Sequence, residues 1–235
     1  IKTLRAKERL EFRDQSHNGK FEVPTFEEVV DLALSKSRET GRTIGIYPET
    51  KHPTYFDSIG LSLEEPLVAV LRAKGLDRAD APVFIQSFET ANLKQLNALT
   101  EVKLVQLMEA AEKQPYDFVV AGDKRTYGDL ATPQGLKEIA TYAEGIGPYK
   151  RLIVPEGEEK ALKEPTSLVA DAHAAGLLVH PYTFRNEAQY LAKDYGGDPA
   201  AEYRQFFELG VDALFSDFPD SPVAARGTWG KSITQ

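Results

Sequence analysis

The 235-residue chain has no cysteine, which excludes disulfides and thiolate-bound metals while fitting a reducing cytoplasm and an oxidising periplasm equally well. It lacks any apolar run near the roughly 18 residues of a membrane span. Its first ten residues, Ile-Lys-Thr-Leu-Arg-Ala-Lys-Glu-Arg-Leu, have no apolar core of the kind a signal peptide carries. Either the protein is cytoplasmic or a leader has been removed. Positive charge is scattered, with a net charge of −8 and an isoelectric point near 5.2. No basic stripe exists, so nucleic acid is excluded as a partner. A Gly-rich phosphate loop, a nucleophile elbow and a paired-Cys metal site are also missing.

What is present is 42% hydrophobic content, enough for a substantial core, in a length that suits one domain over residues 1–235. After a charged, irregular opening with an exposed loop at residues 14–20, where His17 is read as solvated, the pattern sharpens at Thr25. Thr25-Phe26-Glu27-Glu28 is a capping box. Phe26, Val29, Val30, Ala33 and Leu34 keep a helical period, and Gly41 stops it. The short apolar stretch Ile44-Gly45-Ile46-Tyr47 follows as a strand. The same phrase then recurs. Ser62 with Glu65 is expected to cap a helix running to Gly75, ahead of a strand over residues 82–88. A helix over residues 89–99 feeds a strand at 102–107. Thr132-Pro133 opens a helix that continues to Gly145, Ser167 one that stops at Gly176, and Asp198-Pro199 the one that ends at Gly210.

Strand and helix alternate along nearly the whole chain, which predicts a parallel α/β architecture. Strands are expected near residues 44, 83, 102, 177 and 211, with a fainter one over residues 145–149. A closed eight-stranded barrel takes about 250 residues, so this count leaves either an open sheet or a chain that starts inside a barrel. The connection over residues 108–131 is long and carries Pro115, Gly122 and Gly128. It follows a strand's carboxyl end, where a lid or substrate loop would sit.

Parallel sheets carry their sites at the carboxyl ends of their strands. The polar residues there are Glu49, Lys51, Gln86, Ser87, Gln106, His180, Thr183 and Asp217. Alternate side chains of a strand share a face, so Glu49 and Lys51 should project together. Such a pair suits a hard divalent cation beside an anionic substrate. The competing reading is an internal ion pair at the rim. His180 is read either as a ligand or acid/base group or as a packed histidine. His52 and His173 are given surface or packing roles. Tyr182, Phe184 and Phe88 would be core or would line the mouth of a site.

Ile46-Tyr47-Pro48-Glu49-Thr50-Lys51, Gln86-Ser87-Phe88, His180-Pro181-Tyr182-Thr183-Phe184-Arg185 and Leu214-Phe215-Ser216-Asp217-Phe218-Pro219-Asp220, in this order, resemble the glycerophosphodiester phosphodiesterases, with the nearest likeness to their bacterial periplasmic branch. The resemblance covers residues 1–220. It implies a TIM barrel and a metal-dependent hydrolysis of glycerophosphodiesters to glycerol 3-phosphate and an alcohol. The cofactor implied is Ca²⁺ or Mg²⁺, held by carboxylates of which Glu49 is one, with Lys51 as electrostatic catalyst. Phe88, Gln106, Tyr182, Phe184 and Arg185 would line the substrate pocket. A periplasmic location, with the leader removed, is implied as well.

The family's His-Arg-Gly strand end, Glu-x-Asp pair and His-Asp strand do not occur here. The resemblance therefore implies a carboxyl portion lacking about three β/α units, with both catalytic histidines upstream, and activity that requires that segment, present as a separate chain if not on this one. Two other readings are a related barrel phospholipase acting on lyso- or sphingolipids, and an inactive half barrel or binding subunit.

Overall fold

A computed structural model describes residues 1–232, with side-chain surroundings described to residue 227. Residues 233–235, part of the tail that sequence leaves open, lie outside it. At the centre is a parallel sheet in the order β1 (Phe84–Ser87), β2 (Lys103–Met108), β3 (Gly145–Pro148), β4 (Leu178–Val179). Bridges extend it at both sides, Ile46 to Val83 and Glu49 to Gln86 at one edge, Phe184 to Ser216 at the other. Each extended stretch lies beside its predecessor in sequence, and parallel neighbours need crossovers, which the helices supply.

The helices begin where their caps dictate. α1 (Phe26–Thr40) has the reciprocal Thr25–Glu28 capping box and ends on Gly41 at φ 66°, and α2 (Pro53–Ser58) follows the first edge stretch. α3 (Glu64–Ala73) departs from expectation, since Ser62 caps no backbone amide; its hydroxyl is spent on the carboxylates of Glu64 and Glu65. α4 (Thr90–Leu99) joins β1 to β2. The long connection 108–131 is partly helical, holding α5 (Tyr116–Ala121) and α6 (Tyr127–Leu130), the latter with a Thr126–Asp129 capping box. α7 (Pro133–Ile139) has Thr132 as N-cap and ends well before Gly145. α8 (Leu168–Ala174), α9 (Pro199–Glu208), capped by Asp198, and α10 (Asp220–Ser232) complete the chain.

The faint strand expected at 145–149 is central, and its four strand residues, Gly145–Pro148, are all buried. Its glycines answer to crowding, because a Cβ at Gly147 would lie 2.6 Å from Leu107 Cδ2 and one at Gly145 3.1 Å from the Leu178 carbonyl. Ile85, Leu104, Ile146 and Val179 from the strands join Leu93, Leu96, Leu136 and Ile139 from the helices in one core cluster. On the other face of the sheet an aromatic cluster spans the gap between its edges. Tyr47 lies 5.2 Å from Phe84 and 4.8 Å from Phe215, so the first and last extended stretches meet through side chains. No backbone pairing joins them among the described residues, and the sheet is an arc.

Candidate functional site

The carboxyl ends of the strands enclose a cleft of about 320 Å³, lined by Glu49 and Lys51, by Gln86 and Phe88, by Leu107, by Tyr182 and Thr183, and by Phe215, Ser216 and Asp217. Glu49 and Lys51 share this cleft, as strand alternation requires. They form no ion pair among the described residues, so the rim-pair reading fails. Burial raises the Glu49 carboxyl above its ordinary value, against the pull of Lys51 and His52.

Opposite stands an aromatic wall. Phe88 meets Tyr182 edge-on at 5.9 Å and Tyr127 at 6.2 Å. The Tyr182 hydroxyl donates to the Met108 carbonyl at 2.9 Å and the Tyr127 hydroxyl to the Phe88 carbonyl at 3.1 Å. Burial pushes both phenols up, which keeps them neutral donors. Tyr127 comes from α6, so the 108–131 connection braces this wall. Its Thr126–Asp129 box was the local sign of that brace, and sequence reasoning passed over it.

At the far side, burial would raise the Asp217 carboxyl, but Arg13 at 2.7 Å and Arg185 at 2.9 Å hold it below the ordinary carboxylate range. Arg13 lies in the irregular opening segment, and nothing local in the sequence marks it as part of the rim.

Three of the expected pocket residues go elsewhere. Gln106 is completely buried; its carbonyl accepts from Tyr142 at 3.0 Å and its amide donates to the Phe88 and Leu107 carbonyls at 3.1 and 2.9 Å. Phe184 is likewise sealed, stacked on Tyr203 at 5.3 Å and edge-on to Phe206 at 4.8 Å. Arg185 lies over Tyr190 and opens onto a neighbouring cleft with Lys150, Arg151 and Lys160. Ser87 is buried, its hydroxyl directed to the Thr50 carbonyl.

The histidines stand apart from the cleft lining. His180 is buried beneath it, 2.8 Å from the Tyr47 hydroxyl and edge-on to Phe84 at 5.2 Å, with its pKa lowered by burial. It is the packed histidine of the two readings. His52 precedes α2 in the left-handed region, His173 pairs with Asp212 at 2.9 Å, and His17 is exposed near Phe21.

A hard divalent cation takes six or more oxygen ligands. The cleft offers the Glu49 carboxylate and the side-chain oxygen of Gln86, which is buried without a hydrogen-bond partner. Asp217 is already committed to two arginines. No group of three or more carboxylate or imidazole ligands occurs among the described residues. The donors fit such an ion in type and fall short in number.

Fold and cleft together define a parallel β/α protein that carries its site at the carboxyl ends of its strands. The chain belongs to the glycerophosphoryl diester phosphodiesterase family, whose model matches residues 1–221. It is 37% identical over 234 residues to the Arabidopsis thaliana protein named glycerophosphodiester phosphodiesterase GDPD6, covering 94% of this chain and 60% of that one. It is 29% identical over 217 residues to the Haemophilus influenzae glycerophosphodiester phosphodiesterase, covering 86% of this chain and 58% of that one. A Silicibacter pomeroyi crystal structure assigned as a glycerophosphoryl diester phosphodiesterase superposes with a TM-score of 0.63 at 20% identity, over 92% of this chain and 60% of the other. At that identity the likeness speaks for the fold, which is of the TIM-barrel kind. The chain thus spans about three-fifths of the length of these proteins.

Proposed function

We propose that the full-length protein carrying this chain hydrolyses glycerophosphodiesters to glycerol 3-phosphate and an alcohol with the help of a divalent cation, and that these residues supply the charged strand end and aromatic wall of its site. One observation carries the reading. Glu49 and Lys51 leave the same strand end unpaired, facing a small cleft walled by Phe88 and Tyr182.

The Lys51 ammonium faces the phosphodiester anion and offsets the charge that grows on its oxygens in the transition state. Phe88 and Tyr182 hold the carbon skeleton and exclude water from one side. Ca²⁺ or Mg²⁺, when bound, polarises phosphoryl oxygens, and Glu49 is the carboxylate of this chain that would hold it. None of the lining residues is a histidine, so the two histidines to which the family resemblance assigns proton transfer are not among them. Location is proposed as periplasmic. That rests on the resemblance to the bacterial branch; one relative, from Haemophilus influenzae, is bacterial, and another, of higher identity, is from Arabidopsis thaliana.

The full-length protein should release glycerol 3-phosphate from glycerophosphocholine, lose that activity to a chelator and regain it with Ca²⁺ or Mg²⁺. Glu49→Gln should lower kcat/KM by about a hundredfold, the effect typical of losing one preorganised electrostatic group, and weaken the cation titration. Absence of glycerol 3-phosphate would sink the reaction. An unchanged titration would sink the role of Glu49.

A further inference from the structure

Four buried side-chain polar atoms have no hydrogen-bond partner among the described residues, on Gln86, Asp117, Arg151 and Glu187, and of these residues only Gln86 lines the cleft. Gln86 is 7% exposed. Its backbone is fixed on both counts: its N–H donates to the Pro48 carbonyl at 2.9 Å, and its carbonyl accepts from the Thr50 N–H at 3.1 Å. It is the bridge partner of Glu49, so the two side chains rise from neighbouring strands at the same level. Phe84 lies two residues below on the same face, against Tyr47 and His180, and Phe88 two residues above at the rim. The Gln86 amide therefore sits between an apolar floor and the mouth of the cleft. An amide oxygen removed from water and left unpaired is costly, and buried polar atoms in native folds nearly always find partners.

We propose that the Gln86 amide is a specificity-determining contact, reading the terminal hydroxyl of the glycerol moiety; this rests on the phosphodiesterase reading above. Lys51 stands one strand step further out than Glu49 and Gln86 and takes the phosphodiester anion. The free end of the glycerol then reaches the deeper tier. A hydroxyl suits this position because it donates to the amide oxygen, which neither a methyl group nor a trimethylammonium head can do. Sites built to bind a hydroxyl reject analogues that lack it, because their own polar group is then left unpaired.

The test compares glycerophosphocholine with its analogue in which propane-1,2-diol replaces glycerol, using the full-length protein. The parent should favour the glycerol substrate by about tenfold or more in kcat/KM, the ratio that one net hydrogen bond supplies. Gln86→Leu should erase most of that preference by losing rate on glycerophosphocholine alone. Gln86→Glu, which keeps an acceptor oxygen, should retain part of it. Equal losses on both substrates would make Gln86 a purely structural residue, and no loss on either would mean that water alone meets its oxygen; each overturns the proposal. If Gln86→Leu does not fold, as judged by circular dichroism, Gln86→Met takes its place. If the parent cleaves neither substrate, the phosphodiesterase reading fails first. Calorimetric binding of glycerol 3-phosphate against propane-1,2-diol 1-phosphate then still decides whether Gln86 reads the hydroxyl, and equal affinities would refute it.

Discussion

Two sets of lysine and glutamate belong to this β/α face, and they behave oppositely. Lys150 and Glu202 come from different elements, approach each other to 2.7 and 2.8 Å and are 5% and 1% exposed at the side chain. Glu49 and Lys51 come from one strand end and stay apart. The cause is geometric. Side chains two residues apart on a strand rise in parallel, roughly 6–7 Å from each other at the backbone, whereas those from facing elements point at one another. The facing pair consumes its charges in holding the fold, and the strand-end pair leaves them for a ligand.

The largest effect that would break this contrast is expected at Lys150, whose pKa burial lowers against the opposing pull of Glu202. Lys150→Ala leaves Glu202 charged and buried beside Arg151 alone, and should cost about 3–5 kcal/mol in urea unfolding. Replacing both partners, Lys150→Met with Glu202→Leu, should recover most of that loss. A single-variant cost below about 1 kcal/mol would show that the closed pair is no sturdier than a surface one.

The aromatic residues sharpen the same distinction at a smaller scale. Phe184→Ala should cost about 3–4 kcal/mol of stability because it empties a packed site against Tyr203 and Phe206. Phe88→Ala, at a half-buried wall, should cost about 1 kcal/mol and chiefly raise KM. Equal stability costs would erase the division between core and cleft.

The smallest effect lies in pH dependence at Glu49. Its folded pKa is raised above the ordinary 4.5 by burial, so the ionised form costs stability at neutral pH, and the cost fades as pH falls through the folded pKa toward 4.5. Glu49→Gln should therefore melt at the same temperature as the parent or a little above it near pH 7. The two melting curves should converge below about pH 4.5. A variant less stable at pH 7 would mean that Glu49 supports the fold.

The charged strand end was legible because Glu49 and Lys51 obey strand alternation within a few residues. Ser87 and Gln106 were misplaced where alternation within the strands was not followed through, and Phe184 where it was carried further than a strand runs. Ser87 and Gln106 are register partners in β1 and β2, and both point away from the cleft toward the helices, so Leu107 lines it instead of Gln106. Phe184 should share a face with Tyr182 in a continuous strand. The chain changes neighbours between them, from the Pro148 carbonyl at Tyr182 to the Phe215 carbonyl at Phe184, and Phe184 meets α9. The central strand 145–149 was faint because crowding demands glycine there. Arg13 reaches Asp217 across 204 positions of sequence, a relation no local pattern carries.

The stretch bearing Glu49 is fastened on one side only. Ile46 and Thr50 donate to the Pro82 and Gln86 carbonyls at 3.0 and 3.1 Å, Pro48 has no N–H, and the amides of Tyr47 and Glu49 have no partner among the described residues. Deuterium should therefore enter this stretch well before β2 and β3, which are paired on both sides. The charges of Glu49 and Lys51 ride on a segment held along one edge only, so whatever occupies the cleft should also slow exchange there.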